Sequence, residues 1–272
     1  MHIKGLLRMK LIEKFQNFII DLDGVIYIQD EPIHKAKEFI NELKKRDKDF
    51  IFLTNNSGRN SKGYRKKLKS MNIIVDDDKI ITSSTATAKY LYENYNIEGK
   101  KAYVIGARAL KDEIRKIGLN LIDGKDAHLA DFVIVGKDPN FNYEMMKIAN
   151  FAVRNGAIFI ATNYDATFPT PEGEIPGAGA IVSSIETASE VKAKVIGKPN
   201  IYIMEIAISK FNSNKERTLI IGDRLETDIL AGKIAGISTA LVLTGVVSRE
   251  EVSKSEIKPD WILDGIWSFL KE

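Results

Sequence analysis

The chain of 272 residues contains no cysteine. That absence excludes disulfide staples, thiolate-held zinc, iron–sulfur clusters and a thiol nucleophile. Histidine is scarce as well: His2, His34 and His128 lie far apart, and no HExxH spacing occurs. Any metal must therefore be held by oxygen, which favours Mg2+ or another hard cation. No apolar run approaches the ~20 residues of a membrane span. The first residues are basic, with short apolar pieces and no A-x-A pattern, which reads as a cytoplasmic protein with no membrane partner. Met9-Lys10-Leu11 reads as an alternative start, leaving residues 1–8 as a dispensable arm. An excess of one charge is also missing. Forty Lys and Arg against 37 Asp and Glu give a formal charge of +3. The basic residues, for example at 44–46 and 65–69, stand beside apolar positions, so they read as solvated helix faces and not as a nucleic-acid footprint.

What is present is alternation. Short apolar runs at residues 18–20, 50–53, 102–105, 132–135, 158–161, 219–221 and 239–243 predict strands. Between them, Ala36, Phe39, Ile40 and Leu43 share one face at the 3.6-residue period, and residues 64–71 begin another helical stretch. Strands alternating with helices imply βαβ units and an α/β fold with a mostly parallel sheet. Runs apolar on both faces, as at 219–221, fit strands covered on both sides.

Such sheets place ligands at the carboxyl ends of their strands. Asp21-Leu22-Asp23-Gly24 follows the first run, and Thr54-Asn55-Asn56-Ser57-Gly58 follows the second. Gly197-Lys198-Pro199 follows Val195-Ile196, and Gly222-Asp223-Arg224-Leu225-Glu226-Thr227-Asp228 follows residues 219–221. Two carboxylate pairs, a hydroxyl–amide loop and a lysine are expected to converge on one rim. Crowded carboxylates call for a hard divalent cation, and Mg2+ is the natural occupant. Thr54, Asn55, the following main-chain amides and Lys198 suit a phosphate. A carboxylate approaching one negative charge at 4 Å costs about 4 kcal/mol at an effective dielectric of 20, and a phosphate dianion doubles that. With both cations in place, an aspartyl-phosphate on Asp21 becomes accessible.

These four segments, in this order, resemble the motifs of haloacid dehalogenase (HAD)-type phosphatases. The spacing is closest to the NagD-like, 4-nitrophenylphosphatase group. The resemblance runs from Phe15 to Leu270 and includes Ile81-Thr82-Ser83, Ala161-Thr162-Asn163-Tyr164-Asp165 and Pro176-Gly177-Ala178-Gly179. It implies a doubly wound, Rossmann-like core over residues 15–82 and 186–272. A smaller α/β cap of type IIA would be inserted at residues 83–185. It implies Asp21 as nucleophile and metal ligand, and Asp23 as general acid and then base, with its carbonyl on the metal. Thr54, Asn55 and Asn56 would hold the phosphoryl group, with Lys198 offsetting its charge. Asp223 would complete the ligands, with Asp228 at the metal orienting a bound water or the lysine. The substrate would be a small phosphorylated metabolite, and a homodimer would form through the cap. Residues 162–175, rich in Pro and Gly, read as a loop, which in relatives hangs over the site and selects the leaving group. Vertebrate-type pyridoxal phosphatases carry histidine where Phe168 stands, a departure that counts against pyridoxal phosphate.

Each segment alone has a plainer explanation. Asp21 and Asp23 suit a strand-terminating turn, Ser57 or Asn60 a helix cap, and Lys198 a surface lysine before a helix. Asp228 near a helix start would also favour the macrodipole. Gly177-Ala178-Gly179 follows a loop and completes no GxGxxG fingerprint, and Gly232-Lys233 completes no P-loop. Met145, Met146, Tyr90, Tyr92 and Tyr95 fall in helical stretches, where packing is expected. Among rivals, a phosphotransferase or mutase would use another hydroxyl in place of water. A dehalogenase has no need of Asp23, and a silent phosphate-binding module would leave the acidic residues without work. The expectation is a Mg2+-dependent phosphatase acting through Asp21.

Overall fold

The computed structural model describes residues 10–170, 173–211 and 215–270. The arm at residues 1–8 lies outside the described residues. The described residues fall into two compact units, one within residues 1–51 and 208–272, the other within residues 52–207.

In the first unit, four parallel strands lie side by side in the order Trp261–Leu263, Ser238–Val242, Thr218–Gly222 and Asn17–Ile20. Every residue of Asn17–Ile20 and Thr218–Gly222 is buried, as runs apolar on both faces require. Phe18 meets Phe39 at 6.2 Å and Phe269 at 6.3 Å, both edge to face. Burying each such ring contributes roughly 1.5–3 kcal/mol. Phe39 comes from the helix Ala36–Lys45, which buries Ala36, Phe39, Ile40 and Leu43, the face set by its periodicity. A separate cluster joins Leu225, Ile229, Leu241, Val247 and Val252.

The strand Asp49–Thr54 begins in the first unit and ends in the second. Within the second unit its Phe52, Leu53 and Thr54 pair in parallel with Ile80, Ile81 and Thr82. The helix Ser61–Ser70 follows, capped by Asn60, whose Oδ1 accepts from the Gly63 N–H at 3.0 Å. A second sheet is parallel throughout, in the order Lys194–Val195, Ile158–Ala161, Phe132–Val135, Lys101–Ile105 and Asn120–Leu121. Val133, Val135, Phe159, Ala161, Ile181 and Ile185 centre its core, against which Met145 and Met146 pack. Tyr90 and Tyr95 pack against Tyr202 and Phe132, whereas Tyr92 is exposed.

Residues 162–175 differ from the expected loop. Thr167–Thr170 and Gly173–Pro176 pair as an antiparallel hairpin, with Phe168 opposite Ile175. Proline and glycine punctuate this segment, yet a two-stranded ribbon consists wholly of edges, where a missing N–H breaks no central ladder. Lys137 Nζ lies 3.6 Å from the Phe168 ring centroid. Pro171, part of the same expectation, lies outside the described residues. Among the described residues no helix is long and apolar enough to cross a membrane.

Candidate active site

In the first unit, Asp21 and Asp223 each stand one residue beyond a strand end. Ile20 pairs with Ile221, and the Asp21 N–H extends that ladder to the Ile221 carbonyl at 2.9 Å. Two parallel neighbours that end in register thus deliver both carboxylates to the same edge. Asp228 arrives through a π-helical turn, Leu225–Ile229, in which the N–H groups of Asp228 and Ile229 both donate to the Arg224 carbonyl. Its Oδ2 accepts from the main-chain N–H groups of Asp223 (3.2 Å) and Arg224 (3.1 Å), which folds the acid back over the strand end. Carboxylate oxygens of Asp21, Asp223 and Asp228 all lie within 4.8 Å of one another, and all three residues are buried.

The surrounding chain fixes this trio. Asp223 Oδ2 accepts from the Val246 N–H at 3.0 Å, and the Thr244 hydroxyl donates to the Gly24 carbonyl at 2.6 Å. Gly24 adopts φ +81°, and a Cβ there would stand 2.4 Å from Asp223 Oδ2. Each pair of charges near 4 Å repels by about 4 kcal/mol at an effective dielectric of 20. Three buried carboxylates at this separation therefore fit a hard divalent cation, for which oxygen donors are the preferred ligands. The Asp23 carboxylate is not part of the trio. Asp23 is half-buried in the turn where the N–H groups of Val25, Ile26 and Tyr27 converge on the Leu22 carbonyl.

The second unit gathers the other polar residues singled out in the sequence. Thr54 ends its strand, and its Oγ1 accepts from the Asn56 N–H at 3.1 Å. The Asn56 side chain accepts from the Gly58 N–H at 2.9 Å, closing the loop on itself. Lys198, only 2% exposed, follows a strand of the five-stranded sheet, and its ammonium donates to the Leu53 carbonyl at 2.9 Å. It is a buried cation at the end of Asp49–Thr54, not the surface lysine that its isolated sequence context suggests.

Asn55 joins these groups. Its Nδ2 donates to Asp165 Oδ1 (3.1 Å) and to the Lys198 carbonyl (3.0 Å), while its Oδ1 accepts from the Lys198 N–H (2.8 Å). Its own carbonyl accepts from the Ser83 hydroxyl at 2.5 Å and from Asn163 Nδ2 at 2.8 Å. The sequence motifs assign no role to Ser83, Asn163 and Asp165, although each lies in a segment that carries the family resemblance. The signal was available: Ser83 follows the strand Ile80–Thr82, and Asn163 and Asp165 follow Ile158–Ala161, the positions where the strand-end rule looks.

Comparison with known proteins supplies the family. Residues 18–120 match a haloacid dehalogenase-like hydrolase model, and residues 195–269 match a HAD-hydrolase-like one. The chain is 37% identical to 5'-nucleotidase YutF of Bacillus subtilis over 259 residues, 95% of this chain and 99% of that one. A 4-nitrophenylphosphatase structure from Thermotoga maritima superposes with a TM-score of 0.88 at 35% identity, covering 96% of this chain and 98% of its own. A glycerol phosphate phosphatase from Mycobacterium tuberculosis, solved in complex with magnesium, superposes with a TM-score of 0.87 at 27% identity, covering 96% and 78%. The chain belongs to the haloacid dehalogenase-like hydrolases, in the NagD-like, 4-nitrophenylphosphatase group, and is a phosphoric monoester hydrolase.

Proposed function

We propose that the chain hydrolyses small phosphorylated metabolites in the cytoplasm through an aspartyl-phosphate on Asp21, with Mg2+ as cofactor. The observation that carries this assignment is the buried trio of Asp21, Asp223 and Asp228, with oxygens within 4.8 Å at the ends of two adjacent parallel strands. Asp21, Asp223, Asp228 and the Asp23 carbonyl would hold the ion. When bound, Mg2+ offsets the negative charge of the carboxylates and of the phosphate dianion.

The chain's own residues then divide the work. An Asp21 oxygen forms a bond to phosphorus as the bond to the leaving oxygen breaks, and Asp23 gives that oxygen its proton. Water next attacks the aspartyl-phosphate, Asp23 takes the proton back, and the carboxylate of Asp21 is released with inorganic phosphate. The Thr54 hydroxyl, the main-chain N–H of Asn55 and Lys198 bind the phosphoryl oxygens, while the Asn56 N–H holds Thr54 Oγ1 in place. The fold supports this by burying Lys198, since a desolvated ammonium acts on phosphate more strongly than one in water. Residues 83–185 would serve as the cap, with the hairpin at 167–176 selecting the leaving group and a homodimer forming through the same segment.

Phosphate release from nucleoside monophosphates, sugar phosphates, glycerol phosphate, phosphoglycolate, pyridoxal phosphate and 4-nitrophenyl phosphate, with and without Mg2+, tests the assignment. Turnover should require the metal, and Asp21→Asn should remove it by at least about a thousandfold in an intact fold. Retained turnover in that variant would exclude Asp21 as the nucleophile.

A further inference from the structure

Asn55 is 6% exposed, and its side chain is fully engaged. An asparagine amide has two N–H donors and one carbonyl oxygen. Both donors are taken, one by Asp165 Oδ1 and one by the Lys198 carbonyl, while the oxygen accepts the Lys198 N–H. The side chain that the sequence suggested as a phosphate donor has no donor left to give. Instead, one planar group grips both main-chain polar atoms of Lys198, as a neighbouring strand would. The sheet ladder ends before that residue. The strand before it is only two residues long, and its ladder extends through the Ile196 and Gly197 N–H groups to the Ala161 and Thr162 carbonyls, stopping short of Lys198. A Cβ on Gly197 would stand 2.6 Å from Asn55 Oδ1, so the amide and this loop approach as closely as glycine permits.

A lysine side chain has many rotamers to lose when it is fixed. Its ammonium, which donates to the Leu53 carbonyl at 2.9 Å, still starts from a main chain that must itself be held. Asn55 is also bonded directly to Thr54, whose hydroxyl is assigned to the same phosphoryl group. Resting on the assignment of Lys198 to that group, we propose that Asn55 is the positioning residue of Lys198. It clamps the main chain of the lysine beside Thr54 without its side chain touching phosphate, and Asp165 fixes which way its amide faces. The role demands a donor and an acceptor on one short planar group. Aspartate has the same shape but would set an oxygen against the Lys198 carbonyl and the Asp165 carboxylate.

Four variants test this: Lys198→Ala, Asn55→Ala, the double substitution, and the isosteric Asn55→Asp. Affinity for inorganic phosphate in Mg2+ is measured by titration calorimetry, beside kcat/KM on 4-nitrophenyl phosphate and the melting temperature. Asn55→Ala and Asn55→Asp should each weaken phosphate binding roughly 10- to 100-fold while the protein stays folded. The double variant should bind phosphate no more weakly than Lys198→Ala alone, because the clamp acts only through the lysine. Losses that multiply in the double variant overturn the inference, and so do wild-type affinities in both Asn55 variants. Unfolding of both Asn55 variants also overturns it, since Asn55 would then serve the fold and not the lysine. Wild-type phosphate affinity in Lys198→Ala is a distinct result, which overturns the role of Lys198 itself.

Discussion

Gly24 sits where two local demands meet. The chain must reverse after Asp21-Leu22-Asp23, and it does so with Gly24 at φ +81°, a conformation costing a residue with a Cβ roughly 1 kcal/mol or more. The same hydrogen-only face lets the turn pass Asp223, whose Oδ2 would lie 2.4 Å from any Cβ placed there. Gly24→Ala should therefore lower stability by about 1–3 kcal/mol in urea. Because the displaced atom belongs to one of the three buried carboxylates, the Mg2+ concentration for half-maximal turnover should rise as well. An unchanged Mg2+ requirement would show that the Gly24 turn does not shape the acidic cluster. Asp21, Asp223 and Asp228 were legible in the sequence because carboxylates just past apolar runs have few structural uses in such number. The role of Asn55 was not. A side chain's partners depend on what the fold brings to it, and Asp165 lies 110 residues away along the chain.

At the scale of elements, strands were legible wherever burial on both faces left a purely apolar run, as in Phe18-Ile19-Ile20 and Leu219-Ile220-Ile221. The hairpin at 167–176 was not, since its strands are short, only Gly173–Pro176 is fully exposed, and its prolines resemble breakers. Nor was the π-helical turn at Leu225–Ile229, which depends on how Asp228 folds back onto the Asp223 and Arg224 N–H groups. A comparable polar lock joins the helix Ala178–Ser189 to the chain on either side of it. Glu186, buried on that helix, accepts from the Tyr164 hydroxyl (2.8 Å), Lys192 (2.7 Å) and the Ala193 N–H (3.0 Å). Burial pushes its carboxyl up, but the hydrogen bonds from Lys192, Ala193 and Tyr164 outweigh that and hold it below the ordinary value. A carboxyl lowered on folding stabilises the protein above its unfolded pKa, and that contribution fades as pH falls through the folded value. Glu186→Gln should cost about 1–3 kcal/mol at neutral pH, read as a lower urea midpoint. The gap from wild type should narrow as the pH falls below the ordinary glutamate range. A gap that stays constant with pH would mean that the charge of Glu186 contributes nothing.

On the scale of the whole chain, the acidic cluster joins distant stretches of sequence. Asp21 comes from the first 51 residues and Asp223 and Asp228 from the last 65, the two pieces that make up one compact unit, with residues 52–207 forming the other. Closing so long a connection costs the chain entropy, and three like charges at the junction oppose it further. A cation bound there reverses the sign of that electrostatic term. It favours the folded state by RT ln(1 + [Mg2+]/Kd), about 2.7 kcal/mol at a hundred times Kd. Stripping divalent ions should therefore lower the melting temperature, and adding Mg2+ should restore it, even with no substrate present. Asp223→Asn separates the two effects. It removes one of the repelling charges, so the metal-free variant should melt at or above metal-free wild type, while the gain on adding Mg2+ should be mostly lost. If the variant instead keeps the full Mg2+-induced rise, the ion is held elsewhere, and the convergence of Asp21, Asp223 and Asp228 needs another explanation. If wild type shows no rise at all, the cluster tolerates its own repulsion without a metal, and the proposed chemistry at Asp21 loses its cofactor.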